Sequence, residues 1–299
     1  MSTRSLEASM RQLPSGWRTR FAPAPTGFLH LGHAVNALHV WGIARAFGGR
    51  VLLRVEDHDR VRSREEYERA LFEDLAWLGF VPDELAPPQR ERGAAYEGAL
   101  AALETAGLAY ACACSRRDIA EVAGDVFNEE SRYPGTCRTR ALDGVAHPAR
   151  RVRMEPGIET FEDLRLGAQS QDPDAQCGDL LARDRLGRWT YQFAVAVDDR
   201  DQRIDLVIRG EDLLSSTGRQ LRLARLIGRE SPPRFLHHAL VRRPGGEKLS
   251  KSAGDSGIRE LRAAGHAPAE VIGMAAHAAG LIPDVRPMPA GDVPRLFDG

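Results

Sequence analysis

From the N-terminus the chain alternates short apolar runs with stretches of helical spacing. Residues 18–23, RTRFAP, predict a short strand running into a Pro/Gly-rich turn, APTG. Val35, Leu38 and Trp41 then fall at helical spacing and predict a helix over 31–47 that stops at Gly48-Gly49. RVLLRVED is an apolar run suited to a buried strand. Tyr67, Leu71, Leu75 and Leu78 mark an amphipathic helix ended by Gly79. Tyr96, Leu100 and Leu103 mark another, ended by Gly107, before a short strand, LAYAC. Strands alternating with helices predict a parallel sheet of the α/β class.

From Cys112 to Gly187 this rhythm breaks. The stretch holds three cysteines within 26 positions, an arginine-rich run (Arg138, Arg140, Arg150, Arg151, Arg153) and several Pro and Gly. The α/β pattern resumes with WTYQFAVAVDD and RIDLVIRG, followed by a helix over 217–227 and an apolar stretch, FLHHALV. After Lys251, 48 residues remain, with one or two short Ala-rich helices. The organisation expected is the first half of a catalytic core over 18–111, an inserted subdomain over 112–187, the second half of the core over 188–245, and a loop with a short helical tail over 246–299.

Composition narrows the classes. The 299 residues are 42% apolar and 28% charged, which suits a globular chain with a sizeable core and argues against a disordered or fibrous one. With 41 basic residues against 42 acidic ones, a polybasic nucleic-acid binder is unlike this chain, and any such contact needs a local patch. Four cysteines do not make a secreted disulfide scaffold, and no apolar run approaches the ~18 residues of a membrane span. With no signal-peptide pattern at the N-terminus, a cytoplasmic monomer without a membrane partner is expected. One count is sharper. Only two of the 41 basic residues are lysine, and both, Lys248 and Lys251, lie in GGEKLSKS. Compact, flexible ammonium groups suit phosphate.

The segment RFAPAPTGFLHLGHAVNAL lies between a predicted strand and helix, which places His30, Gly32 and His33 at a helix N-terminus. Backbone N–H groups and the positive end of the helix dipole favour phosphate there, and imidazoles can follow a shift of charge. The bland alternative is a histidine pair that only caps the helix. KLSKS supplies two lysines able to clamp the β- and γ-phosphates of ATP and to stabilise a leaving pyrophosphate. C-x-C at Cys112 and Cys114, with Cys137, offers three thiolates for Zn²⁺, which wants a fourth ligand; Asp125 and His147 are open on chemistry alone, and Cys177 reads as a free thiol. VEDHD and VDDRD carry clustered acids, for which structural or substrate roles are expected over a metal.

RFAPAPTGFLHLGH, VEDHD, WTYQFAVAVDD, LVIRGEDLLSST and GEKLSKS together resemble the catalytic core of class I glutamyl-tRNA synthetases, from about Arg18 to Ser252. No room for a large anticodon-binding domain follows KLSKS, and C-x-C is followed by Tyr133-x-x-x-Cys137. In both respects the chain is similar to the truncated paralogue family, the glutamyl-Q tRNA(Asp) synthetases. The resemblance implies a Rossmann-like core with a zinc-bearing insertion. It also implies ATP at His30, Gly32, His33 and Lys251, and Mg²⁺ arriving with ATP. A glutamate site is implied at Arg20, the following Phe21, Ala22, Pro23 and Ala24, Glu56, Tyr191 and Arg209. Tyr133 is implied as the fourth zinc ligand. His30, His33, Lys248 and Lys251 are the implied catalytic set, and queuosine-modified tRNA(Asp) the implied acceptor of L-glutamate.

Two departures are visible. Ala24 stands where the family usually has serine, which removes a hydroxyl from the glutamate site. The segment between Cys114 and Tyr133 looks longer and more acidic, with Asp125, Glu129 and Glu130. The competing expectations are a minimal glutamyl-tRNA synthetase charging a tRNA 3′ end, a non-catalytic RNA-binding module that kept the fold, and a simple nucleotidyltransferase of the HxGH type.

Overall fold

The described strands form a parallel sheet and a mostly parallel one that meet edge to edge, and a third, antiparallel sheet. The computed structural model describes residues 3–123, 132–140, 142, 145–241 and 257–298. Its elements are α1 (Thr3–Met10), β1 (Arg18–Phe21), α2 (Leu31–Ala46), β2 (Arg50–Leu53), α3 (Glu65–Leu78), β3 (Glu84–Leu85), α4 (Gly93–Thr105), β4 (Ala109–Cys112), α5 (Arg116–Ala123), β5 (Ala149–Val152), β6 (Glu159–Asp163), β7 (Gly167–Gln171), α6 (Pro173–Cys177), β8 (Leu180–Arg183), α7 (Tyr191–Asp201), β9 (Leu206–Gly210), α8 (Thr217–Leu226), β10 (Arg234–His238), α9 (Ile258–Ala263) and α10 (Pro268–Ala278).

β1, β2 and β3 pair in parallel, with Thr19 opposite Val51 and Leu52 opposite Glu84. β9, β10 and β6 pair in parallel, and β7 closes that edge antiparallel. Asp205 fastens β1 to β9: its N–H donates to the Arg18 carbonyl at 2.9 Å, and its carboxylate accepts from the Arg18 N–H at 2.8 Å. The chain therefore leaves β1 towards β2 on one side and meets β9 on the other. That change of direction opens a crevice at the carboxyl ends of the strands, where doubly wound sheets bind ligands.

α2 packs over this crevice. Val35, Leu38 and Trp41 are buried as their spacing predicts, but so are all residues from Val40 to Ala44. The C-terminal tail covers the face that would otherwise meet solvent: a Cβ on Gly42 would stand 2.3 Å from the Phe297 ring.

The stretch over 112–187 divides between two sheets. β4, β5 and β8 form the antiparallel sheet, whereas β6 and β7 join the β9–β10 sheet. No described helix is long and apolar enough to cross a membrane.

Candidate active site

A cavity of about 630 Å³ opens at the carboxyl ends of β1 and β9. Arg20, Phe21, Ala22, Pro23, Ala24, His30, Gly32, His33, Glu56, Tyr191 and Arg209 all line it. β1 delivers Arg20 and Phe21, the turn after it the next residues, α2 the HLGH group, α7 Tyr191 and β9 Arg209.

Both histidines cap α2. His30 Nδ1 accepts from the Gly32 N–H at 3.1 Å, and His33 Nδ1 accepts from the His30 N–H at 3.2 Å. Each imidazole thus has its acceptor nitrogen turned to the backbone, which in the neutral form puts the proton on Nε2. Gly32 is required for this fold-back, since a Cβ there would stand 2.9 Å from His30 Cε1. The pair caps the helix and lines the cavity at once.

The floor is a buried charge network. Arg54, wholly buried, donates to Glu56 at 2.9 Å and to Asp199 at 2.7 Å. Arg20 donates to Asp199 at 3.3 Å and to the Ile208 carbonyl at 3.4 Å. Burial pushes the Asp199 carboxyl up, but the guanidiniums of Arg20 and Arg54 outweigh it and hold the group below the usual carboxylate range. Arg209 is different. It donates to Gln220 Oε1 at 2.7 Å, Thr217 Oγ1 at 2.9 Å and His237 Nε2 at 3.0 Å, all neutral acceptors. Burial lowers its pKa, and Arg20 adds to that lowering. Burial, with Glu56 nearby, raises the Tyr191 phenol. A buried cation with neutral partners is poised for an anionic ligand.

The acids of VEDHD and VDDRD brace this floor. Asp57 accepts from the Arg90 side chain at 2.6 Å, and Asp198 accepts from Gln89, Arg92 and Tyr96 at 2.8, 3.0 and 2.9 Å.

The thiols of Cys112, Cys114 and Cys137 lie within 4.8 Å of one another, the only such metal-capable group among the described residues. Cys114 and Cys137 sulfurs are 3.5 Å apart, and Tyr133 Oη lies 3.4 Å from Cys112 Sγ and 3.9 Å from Cys114 Sγ. A tetrahedral zinc with these donors has S···S of roughly 3.8 Å and S···O of roughly 3.5 Å. The three thiols are consistent with a zinc site, and Tyr133 Oη stands beside them, where it also accepts from the Cys137 N–H at 2.9 Å. Burial and the Cys137 thiol raise Cys114 to about 11 and burial raises the Tyr133 phenol, whereas for Cys137 hydrogen bonds, led by that with the Ala113 backbone, outweigh burial and lower the thiol. Gly178, at φ 61, lets the Tyr133 backbone approach; a Cβ there would meet the Tyr133 carbonyl oxygen at 2.0 Å. His147 is exposed and outside the cluster, and Asp125 lies outside the described residues. The arginine run is largely engaged in holding this region. Arg138 forks onto Asp179, Arg151 lies 3.7 Å over the Tyr133 ring, Arg153 donates to the Arg138 carbonyl and Arg150 pairs with Glu104 at 2.7 Å.

Residues 17–276 match the family of class I tRNA synthetases for glutamate and glutamine (E and Q), catalytic domain. A glutamyl-Q tRNA(Asp) synthetase of Burkholderia mallei is 43% identical over 247 residues, 81% of this chain and 82% of that protein. One of Nitratidesulfovibrio vulgaris is 39% identical over 287 residues, 90% of this chain and 88% of the relative. The chain belongs to the glutamyl-Q tRNA(Asp) synthetase family. A glutamate tRNA ligase from Elizabethkingia meningosepticum, solved in complex with its amino acid, superposes with a TM-score of 0.75 at 29% identity, covering 88% of this chain. The chain spans 60% of that ligase.

As a glutamyl-Q tRNA(Asp) synthetase relative, the chain has the class I catalytic fold, a class that uses ATP, and a cysteine triad consistent with zinc. Lys248 and Lys251 lie outside the described residues. Leu240 and Val241, just before that segment, line the cavity, and Gly257, just after it, bridges to His30. Four residues that matter to the floor were not singled out from the sequence: Arg54, Asp163, Gln220 and His237. Arg54 had one signal, since it stands two positions before Glu56 in an extended run and so shares its face.

Proposed function

We propose that the chain activates L-glutamate with ATP, without RNA, and transfers it to the queuosine base in the anticodon of tRNA(Asp). The observation that best supports this is the meeting, in one cavity, of Arg209 hydrogen-bonded to neutral side chains among the described residues, the Glu56 carboxylate and a helix N-terminus capped by two histidines.

Arg209 and Arg20 hold the two carboxylates of glutamate, and Glu56, with Tyr191, receives its ammonium. Phe21, Ala22, Pro23 and Ala24 form the wall beside it. At Ala24 a backbone group or water replaces the missing hydroxyl. A glutamate α-carboxylate oxygen attacks the α-phosphorus of ATP, the bond to the β-phosphate oxygen breaks, and pyrophosphate leaves. His30 and His33, with the N–H groups at the start of α2, stabilise the phosphate charge, and Lys251, with Lys248, the leaving group. Mg²⁺ accompanies ATP. In the second step a hydroxyl of the queuosine cyclopentene ring attacks the acyl carbon, and AMP leaves. Cys112, Cys114, Cys137 and Tyr133 hold one Zn²⁺ whose role is to fix their region.

Labelled glutamate offered to tRNA(Asp) with and without queuosine tests this. Transfer only to the queuosine-containing tRNA is expected. Equal charging of queuosine-free tRNA at its 3′ end would establish the minimal synthetase instead.

A further inference from the structure

Behind Arg209, away from the cavity, stand two wholly buried groups, Asp163 at the end of β6 and His237 on β10. β10 lies between β6 and β9, with Phe235 opposite Asp163 and His237 opposite Arg209. Asp163 Oδ1 accepts from the N–H groups of Arg165 and Leu166 at 3.0 and 2.9 Å. Its Oδ2 accepts from the His237 N–H at 3.1 Å and stands 2.6 Å from His237 Nδ1. A guanidinium N–H can only donate, so His237 Nε2, which meets one from Arg209, is an acceptor and the imidazole proton lies on Nδ1. Nε2 faces Arg209 Nε at 3.0 Å. Thr217 Oγ1 and Gln220 Oε1 take one N–H from each terminal nitrogen. Three of the five guanidinium donors are thus fixed in plane, which leaves two for Tyr191 and a ligand.

The order of the chain of contacts matters. An aspartate directly against Arg209 would neutralise it and compete with a substrate anion. The imidazole transmits the orientation set by Asp163 while keeping that charge one residue away.

We propose that His237, backed by Asp163, is a positioning residue for substrate recognition: as a neutral acceptor it sets the plane of the Arg209 guanidinium for a substrate carboxylate. The inference rests on the proposed binding of glutamate by Arg209. It deepens that reading by naming what aims the cation without quenching it.

Glutamate-dependent ATP–pyrophosphate exchange, with KM and kcat taken separately, tests it. His237→Leu removes the acceptor; the loss of a hydrogen bond to a charged group predicts a glutamate KM roughly 10- to 100-fold higher. The KM for ATP and kcat should stay within about threefold, because His237 touches neither the phosphates nor the reacting atoms. His237→Gln returns a neutral acceptor near the Nε2 position and should recover most of the loss. Asp163→Asn is the second variant, should His237→Leu fail to fold. It keeps the volume but turns a donor towards Nδ1, moves the proton to Nε2 and sets it against Arg209, so the glutamate KM rises again. No glutamate-dependent exchange in the wild type overturns the parent reading, and this one with it. Exchange in the wild type with an unchanged glutamate KM in a folded variant overturns this inference alone. So does a loss that falls on kcat and is not recovered by His237→Gln.

Discussion

His30 and Gly257 pair through their backbones, and the next residue, Ile258, donates its N–H to the Leu29 carbonyl at 2.9 Å. The chain just beyond KLSKS is thereby tied to the residue that caps α2. Leu240 and Val241, just before the segment, line the same cavity. Both described flanks of the two lysines therefore stand where the phosphates of ATP are proposed to lie.

Lys251→Ala should accordingly leave ATP binding within a few-fold and cut glutamate-dependent exchange by roughly 100-fold or more, as expected for a group that acts on charge appearing in the transition state. Exchange kinetics set beside ATP affinity by calorimetry would measure it. An equal loss in both would place the lysine in ground-state binding.

Arg54 predicts the largest effect on stability. Its guanidinium is the shared donor of Glu56 and Asp199 and lies 4.0 Å from Asp198. Arg54→Met keeps much of the apolar stem and leaves three buried carboxylates short of a cation. Breaking a buried ion network of this kind costs about 3–5 kcal/mol. Urea unfolding should show that loss, and the glutamate KM should rise because Glu56 loses its anchor.

The cysteine cluster predicts one zinc per chain, measured by metal analysis of the purified protein. Tyr133→Phe keeps the ring under Arg151 but removes the oxygen 3.4 Å from Cys112 Sγ. Zinc affinity should fall by at least roughly 10-fold, with a lower Tm, since metal binding and folding of such a region are coupled. Unchanged affinity would point to water or another side chain as the fourth ligand.

Asp74 predicts a pH dependence. It lies on α3, 1% exposed, and its Oδ2 has no hydrogen-bond partner among the described residues. Burial raises its pKa to about 6, against the opposing pull of Arg259 and Arg262 on α9. The folded state thus holds this proton to a higher pH than the unfolded chain, where the group titrates near ~3.9. Its contribution to stability is most favourable below about pH 4 and is lost as pH rises through about 6. Asp74→Asn should be more stable than the wild type at pH 7.5 by on the order of 1–3 kcal/mol, and the difference should vanish near pH 4.

What was legible in the sequence had a local period or a local motif. β1, α2, β2, α3 and α4 follow their apolar spacing, and the three helices end just before Gly48, Gly79 and Gly107, the glycines that mark their stops. The cavity lining could be named because the residues sit in short strings with recognisable chemistry. β6 and β7 were not legible as core strands, because β6 reads Glu-Thr-Phe-Glu-Asp and buries Glu159 and Asp163 at its ends. Those acids are tolerated inside because Arg222, Arg225 and His237 meet them from α8 and β10. α2 is buried beyond the face that its spacing marks, because Phe297, which no window of its own sequence contains, covers its second face. The pairing of Arg54 with Asp199 joins residues 145 positions apart. No spacing rule reaches that far, and only the tertiary fold brings the two together.

The activity proposed for this cavity is the activation of glutamate. ATP–pyrophosphate exchange with a panel of amino acids, in the absence of RNA, tests it most directly. Exchange with glutamate and with no other amino acid is the predicted result. Exchange with a different amino acid, or none with glutamate either alone or after addition of queuosine-containing tRNA(Asp), would contradict it.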